Sequence, residues 1–266
     1  MPRASEAAAG AIALHPGRRL DYPEIALLAS FGRPAVGLYR RPRVAILSTG
    51  DEVVEISQTP RSFQIRNSNA WSLDAQVRRA GGDPLVLPIA PDQASRTREL
   101  IQRGLQADLL LLSGGVSMGR YDLVEDALAS LGAEFFFDGV LIQPGRPLVF
   151  GRARGKLFFG LPGNPLSTMV TFEVFARAAL ELLGGACESP LRFLYARLAA
   201  DFRHQPGLTR FLPALLAGPP ADPLVHPVKW QGSGDMAALS RSNAFLVASA
   251  SREQWSVGDW MPVLPR

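Results

Sequence analysis

Cysteine is almost absent from this 266-residue chain. Cys187 is the only one, which excludes an intrachain disulfide and a thiolate metal cluster. Histidine is nearly as scarce: His15, His204 and His226 are scattered, each flanked by proline or polar loop residues, and without ligand spacing they read as surface residues. Any metal is therefore expected to meet oxygen, nitrogen or a ligand's own sulfur. No GxSxG elbow supports Ser–His–Asp catalysis. No apolar run reaches the roughly 18 residues of a membrane span, and Met1 to Gly10 lacks the apolar stretch of a signal peptide, so the expected location is the cytoplasm with no membrane partner. Lysine is confined to Lys156 and Lys229 within a Lys+Arg total of 28. Arginine forks suit phosphate and carboxylate, although a GC-rich genome gives the same bias. The net charge of +4 is too diffuse for a nucleic-acid footprint, and no nucleic-acid partner is expected.

What is present is ample core-forming material, 47% of residues being hydrophobic, in three textures. Residues 1–40 hold an Ala-rich start, the turn signal His15-Pro16-Gly17 and a short helical pattern at Ile25, Leu27 and Leu28, a piece too small to fold alone. Residues 41–184 alternate strand and helix. Strands are expected at 44–47, 85–89, 108–112, 135–137 and 156–160, and helices at 67–80, 92–106, 121–131 and 166–183, with Asn67 or Ser68 capping the first. Such alternation implies a largely parallel α/β sheet with helices on both faces and ligands beyond the carboxyl ends of its strands. In residues 185–266 helical periodicity vanishes. Apolar segments at 191–198, 211–216, 244–247 and 260–264, parted by Gly, Pro and Asp, fit a small all-β barrel or sandwich.

Ser113-Gly114-Gly115-Val116-Ser117 follows an all-apolar strand and precedes a helix. Glycines there admit a ligand close to the backbone, and consecutive amides with the Ser113 and Ser117 hydroxyls converge on an anion. Taken alone, the stretch reads rather as an ordinary glycine turn; it has neither a Walker lysine nor GxGxxG spacing. Its company is acidic. Ser48-Thr49-Gly50-Asp51-Glu52 closes the first strand, Pro91-Asp92 follows the second, and Asp122 lies just past the glycine loop. Loops of this kind gather along one sheet edge, so Glu52, Asp92 and Asp122 are expected to share a pocket with the anion, bridged by Mg²⁺. Taken singly, each acid also reads as a cap or loop charge, and Asp92 stands where an N-cap belongs. Pro144-Gly145-Arg146-Pro147 and Leu161-Pro162-Gly163-Asn164-Pro165 are rigid loops, the first offering Arg146 to an oxyanion. Trp230-Gln231-Gly232-Ser233-Gly234-Asp235 reads as a polar turn, with Ser233 a second candidate anion contact.

These five motifs, Ser-Thr-Gly-Asp-Glu, Pro-Asp, Ser-Gly-Gly-Val-Ser, Pro-Gly-Arg-Pro and Gly-Leu-Pro-Gly-Asn-Pro, in this order resemble the MoeA/gephyrin E-domain family, the molybdopterin molybdenumtransferases. The resemblance implies a three-layer α/β/α molybdopterin-binding (MogA-like) domain and a small C-terminal all-β barrel-like domain. It implies adenylylated molybdopterin as substrate, cleavage of its pyrophosphate link with metal help, and insertion of molybdate with release of AMP. Glu52, Asp92 and Asp122 then inherit the acidic catalytic roles, with Asp92 and Asp122 toward Mg²⁺. Ser113, Gly114, Gly115 and Ser117 inherit the pterin-phosphate loop, Pro162 and Pro165 shape the pocket, Arg146 attracts molybdate, and Arg210 and Ser233 match C-terminal ligand contacts. Gln143 stands where the family usually has a second basic residue. Family members also begin with a long segment that lends residues across a homodimer; residues 1–40 resemble only its tail, with Glu6 at an often acidic position. A short form, natural or truncated, is the expectation, and a non-catalytic pterin-binding module and a MogA-like adenylyltransferase stand as alternatives.

Overall fold

The computed structural model describes residues 7–115 and 123–266. Glu6, Ser117 and Asp122 lie outside the described residues. Helix α1 (Tyr22–Ser30) is set by a capping box: the Asp21 side chain accepts from the Tyr22 amide while Glu24 accepts from the Asp21 amide. Only Glu24 of this helix is buried.

The α/β unit follows as β1 (Arg43–Ser48), β2 (Val53–Val54), β3 (Ile65–Arg66), α2 (Ser68–Arg79), β4 (Asp83–Val86), α3 (Ala94–Gly104), β5 (Leu109–Ser113), α4 (Leu123–Ser130), β6 (Glu134–Phe137), β7 (Ile142–Gln143), β8 (Val149–Ala153) and β9 (Lys156–Leu161). A continuous helical stretch closes it: α5 (Pro165–Thr171), a π-turn over Phe172–Ala176 and α6 (Arg177–Leu183). The main sheet runs β4-β1-β5-β9-β8-β6, parallel across its first four strands and antiparallel at β8 and β6. In β1, Val44 and Ile46 join a core with Leu73 and Val77 of α2 and Phe172 of the π-turn. Ala45 and Leu47 face the opposite core, with Leu100 and Ile101 of α3 and Leu128 of α4. Burial on both faces is why this strand reads as an unbroken apolar run, and it makes three layers.

The short strands β2, β3 and β7 were not expected, and three further departures from the sequence reading have physical reasons. β4 starts two residues before the expected strand because Arg43 pairs with Asp83, and the Leu87 and Ala90 amides still bond to Ile46 and Ser48 beyond its end. β8 went unread. It forms a hairpin with β9 across Arg154-Gly155, both residues having positive φ (49° and 76°), which matches the twist of a two-residue loop. The long C-terminal helix contains the π-turn, a feature with no periodicity signal of its own.

The C-terminal unit comprises β10 (Leu194–Leu198), β11 (Phe202–Arg203), β12 (Thr209–Ala217), β13 (Leu224–Pro227), α7 (Met236–Ser240), β14 (Ala244–Ala248), β15 (Gln254–Trp255) and β16 (Trp260–Pro265). Strands β10-β16-β14-β12-β13 close into a five-stranded barrel through the parallel β13–β10 pairing. Closure removes the open edges that short strands otherwise expose. β7, from within the α/β unit, joins the barrel sheet beside β12, with Gln143 opposite Arg210. Leu166 and Val170 of α5 pack with Ile142, Phe211 and Phe245 in a core shared by both units. Helix α7 was also unread; it is capped by Asp235, which accepts from the Ala238 and Gln231 amides. Those bonds hold the Asp235 carboxyl below the usual carboxylate range.

His204 corrects the surface reading given to all three histidines. It is 5% exposed, its ring stacked on Trp255 and Phe202 and its Nε2 within 3.0 Å of the Ser249 carbonyl. Pairing of β11 with β15 places Trp255 opposite Phe202, and the polar sequence flanks of His204 say nothing of that partner. Among the described residues no helix is long and apolar enough to cross a membrane.

Candidate functional site

Parallel strands bring four loops to one edge. β1 ends at Ser48, and the next residue, Thr49, donates its amide to Ser113 O at 3.1 Å while Gly50 donates to Ala90 O at 3.1 Å. Gly114 donates to Leu161 O at 3.2 Å. The loops after β1, β4, β5 and β9 are thereby tied together by backbone bonds at the carboxyl ends of their strands. The Pro144–Pro147 turn reaches the same edge, because β8 runs antiparallel to β9 and Val149 pairs with Gly160.

The glycine loop is built for close approach. Gly114 and Gly115 have φ of 88° and 64°, a region side chains rarely adopt. A methyl group on Gly115 would stand 2.7 Å from Thr49 Oγ1 and 2.8 Å from Val124 Cγ2. Gly163 packs over Gly114 from the opposite loop, 3.6 Å separating an added Cβ from the Gly114 Cα. Asn69, in the first turn of α2, clasps the two loops, its Nδ2 donating to Ser113 Oγ at 2.9 Å and to Gly163 O at 2.7 Å. Beside it Asn67 caps α2 through the Ala70 amide and accepts from Ser48 Oγ at 2.9 Å. Thr49 Oγ1 and Asn69 Oδ1 are buried with no hydrogen-bond partner among the described residues. A buried polar atom left unpaired is costly.

The acids sort themselves differently from the sequence reading. Asp92 is no helix cap: α3 begins after Gln93, with no side-chain cap. It lies instead against Asp51, whose Oδ1 accepts from the Asp92 amide at 3.0 Å while Asp92 Oδ2 lies 3.4 Å from the Asp51 amide. Both are solvent-exposed. Glu52 turns back over Gly50, where any side chain would collide with its carboxylate. Asp51 was not singled out as a site residue. Alternation within the Gly-Asp-Glu run does not say which acid faces the neighbouring loop.

Pro162 is buried, and its carbonyl accepts from Thr168 Oγ1 at 2.5 Å. Pro165 opens α5, with Asn164 at the cap position making no side-chain cap bond. Ser233 meets this helix from the barrel, its carbonyl accepting from the Leu166 amide at 2.9 Å. The Arg146 side chain is exposed, while its carbonyl accepts from Val140 at 3.0 Å and closes the turn. Arg210, placed by β12 beside Gln143, has a buried Nε with no partner among the described residues. The helical stretches opening at Ser68 and Pro165 both start at this edge, so their dipoles add positive potential there. The arrangement is suited to an anionic, phosphate-bearing ligand flanked by carboxylates.

Residues 45–182 match a probable molybdopterin binding domain, and residues 195–265 match the MoeA C-terminal region, domain IV. A Synechocystis protein named molybdopterin molybdenumtransferase is 34% identical over 269 residues, a span covering 98% of this chain and 65% of that protein. A Bacillus subtilis protein of the same name is 32% identical, with 97% of this chain and 60% of that protein covered. The chain thus spans less than two thirds of either relative. The crystal structure of a molybdopterin biosynthesis MoeA protein from Pyrococcus horikoshii superposes with a TM-score of 0.80 at 29% identity, covering 94% of this chain and 60% of that one.

Proposed function

Because the chain belongs to the family that joins a molybdopterin-binding α/β domain to a MoeA C-terminal region, we propose that it binds adenylylated molybdopterin at the carboxyl edge of its parallel sheet and inserts molybdate, releasing AMP and molybdenum cofactor. The observation that carries this reading is the Asn69 clasp, which holds the glycine loop and the Leu161–Pro165 loop together beside the Asp51–Asp92 pair.

In this reading Ser113, Gly114 and Gly115, with Ser117, bind the pterin phosphate through amides and hydroxyls. Pro162 and Pro165 form the wall of the pocket. Arg146 and Arg210 draw in molybdate, a tetrahedral oxyanion that needs preorganised donors rather than a nucleophile, and Ser233 borders the same space. Asp92, Glu52 and Asp122 act on the pyrophosphate side. Mg²⁺ suits this donor set, which is all oxygen. Among the described residues no three His, Cys, Asp or Glu side chains converge to hold a metal; Asp92 and Asp122 would hold the ion together with phosphate oxygens and water. Bound there, the ion would neutralise charge on the bridging oxygens. In the same reading, full activity belongs to a homodimer in the cytoplasm, as the family resemblance implies.

The test is incubation of the purified protein with adenylylated molybdopterin, Mg²⁺ and molybdate. AMP release that requires molybdate, and falls roughly tenfold or more in Asn69→Leu as the two loops separate, is the expected result. Binding without release would reduce the chain to a pterin-binding module. Formation of the adenylylated compound from ATP would move it to the adenylyltransferase reaction.

A further inference from the structure

Asp51 occupies the second position of a tight turn. The Val53 amide donates to Gly50 O at 3.1 Å, and Gly50 has a φ of 119°, which side chains rarely adopt. The turn is held from β3 as well: Ile65 donates to Glu52 O at 2.8 Å, and Gln64 Nε2 reaches Asp51 O at 3.4 Å. The Asp51 side chain therefore springs from a fixed backbone. It crosses to the neighbouring loop, where Oδ1 accepts from the Asp92 amide at 3.0 Å.

The sheet anchors that neighbouring loop as far as Ala90. Ala90 donates to Ser48 O at 2.9 Å and accepts from Gly50 at 3.1 Å, forming the last rung, a bridge with Thr49. Pro91 has no amide to offer. Its carbonyl accepts from the Gln93 amide at 2.7 Å and from Thr97 Oγ1 at 2.9 Å, and α3 starts after Gln93 without a side-chain cap. Between the last rung and the helix, the Asp92 amide is met by Asp51. The bond calls for an acceptor oxygen, not for a charge, because its donor is a neutral peptide. Both side chains are exposed, and a second carboxylate beside Asp92 contributes repulsion.

We propose that Asp51 is a positioning residue for Asp92: by holding the Asp92 amide it fixes the direction in which the Asp92 carboxylate faces the substrate. The inference rests on the reading that Asp92 acts at the pyrophosphate side of adenylylated molybdopterin. With the tether gone, the Asp92 peptide turns more freely and its carboxylate spends less time in the working geometry. A displacement of about 1 Å is enough to slow a reaction. Ground-state binding, made by the glycine loop, is left in place, so the loss falls on kcat and not on KM.

Asp51→Ala removes the acceptor, whereas Asp51→Asn keeps an acceptor oxygen and removes the charge; comparing the two in the whole chain tests the role. With adenylylated molybdopterin, Mg²⁺ and molybdate, Asp51→Ala should lower kcat for AMP release about tenfold or more, with KM within about twofold of the parent. Asp51→Asn should recover most of that kcat. Amide hydrogen exchange, measured without substrate or metal, should be about fivefold or more faster at Asp92 in Asp51→Ala, as expected for one lost hydrogen bond. It should be largely restored in Asp51→Asn, while unchanged protection across β1 and β5 shows that the fold is kept. Asp51→Asn as slow as Asp51→Ala would make the charge itself the working part and overturn the proposal. Parent kcat in Asp51→Ala, or unchanged exchange at Asp92, would overturn it too. A parent chain that releases no AMP would remove the transferase reading; the exchange comparison then decides by itself whether Asp51 holds Asp92.

Discussion

Asp108 stands just before β5 with its carboxylate between Arg40 Nη1 and Nη2 at 2.5 and 2.6 Å, and it also accepts from the Arg43 amide at 2.8 Å. The Arg40 bonds, ahead of the other contributions, pull this carboxyl from 3.8 to about 2. The folded value lies below the unfolded one, so the stabilisation is complete above about pH 4 and is lost as pH falls toward 2. Its ceiling is about 2 kcal/mol; with Arg40 largely in water, about 1 kcal/mol is expected. Asp108→Asn should therefore lower stability at pH 7 by that amount and flatten the acid limb between pH 4 and 2 in urea titrations. An unchanged acid limb would remove Asp108 from the account. At this same scale the sequence displayed the glycine loop and Asp92, because glycine runs and acids at strand ends carry their chemistry in their identity. Asn69 escaped notice. Its role depends on Ser113 and Gly163, 44 and 94 residues away, and no local pattern distinguishes it from any other polar residue in a helix's first turn.

Helix α1 was legible from a short apolar pattern, yet its stability rests on its cap. At nine residues it is below the length at which an isolated helix holds in water, and it buries little against its neighbours. Asp21→Ala should cost about 1 kcal/mol locally, seen as roughly fivefold faster amide exchange over residues 22–30. Global unfolding should stay where it was; an equal loss across β1 and β5 would mean that α1 is cooperative with the sheet. Strand β8, which pairs with β9 in a hairpin, and the π-turn are among the elements the sequence hid. The first is signalled only by Arg-Gly, a weaker cue than Asn-Gly. The second places buried Glu173 where Gln76, Arg79 and Arg177 reach it, a reason for the irregularity that lies outside the helix itself.

Across the whole molecule the two units share one core. Phe211 is 4% exposed in a cluster that includes Leu166 and Val170 of α5. Phe211→Ala should cost about 3–5 kcal/mol, and calorimetry should show a thermal transition broader than that of the unsubstituted chain, or split, as the barrel loosens from the α/β layer. A barrel transition that stays coincident with the rest, at that loss of stability, would show the units coupled elsewhere. The sequence by itself determined the order of the main strands and helices of the α/β unit, the β character of the C-terminal region, the strand-end position of the glycine loop and the chemistry of the motifs, since periodicity and turn residues are local and act within a few positions. Tertiary structure alone decided that Asp51 meets Asp92, that Asn69 clasps two loops, that His204 is buried, and that β7 crosses into the barrel sheet. Each of these depends on register between segments far apart in the chain. A hydrophobic pattern specifies which face is buried without specifying what it is buried against.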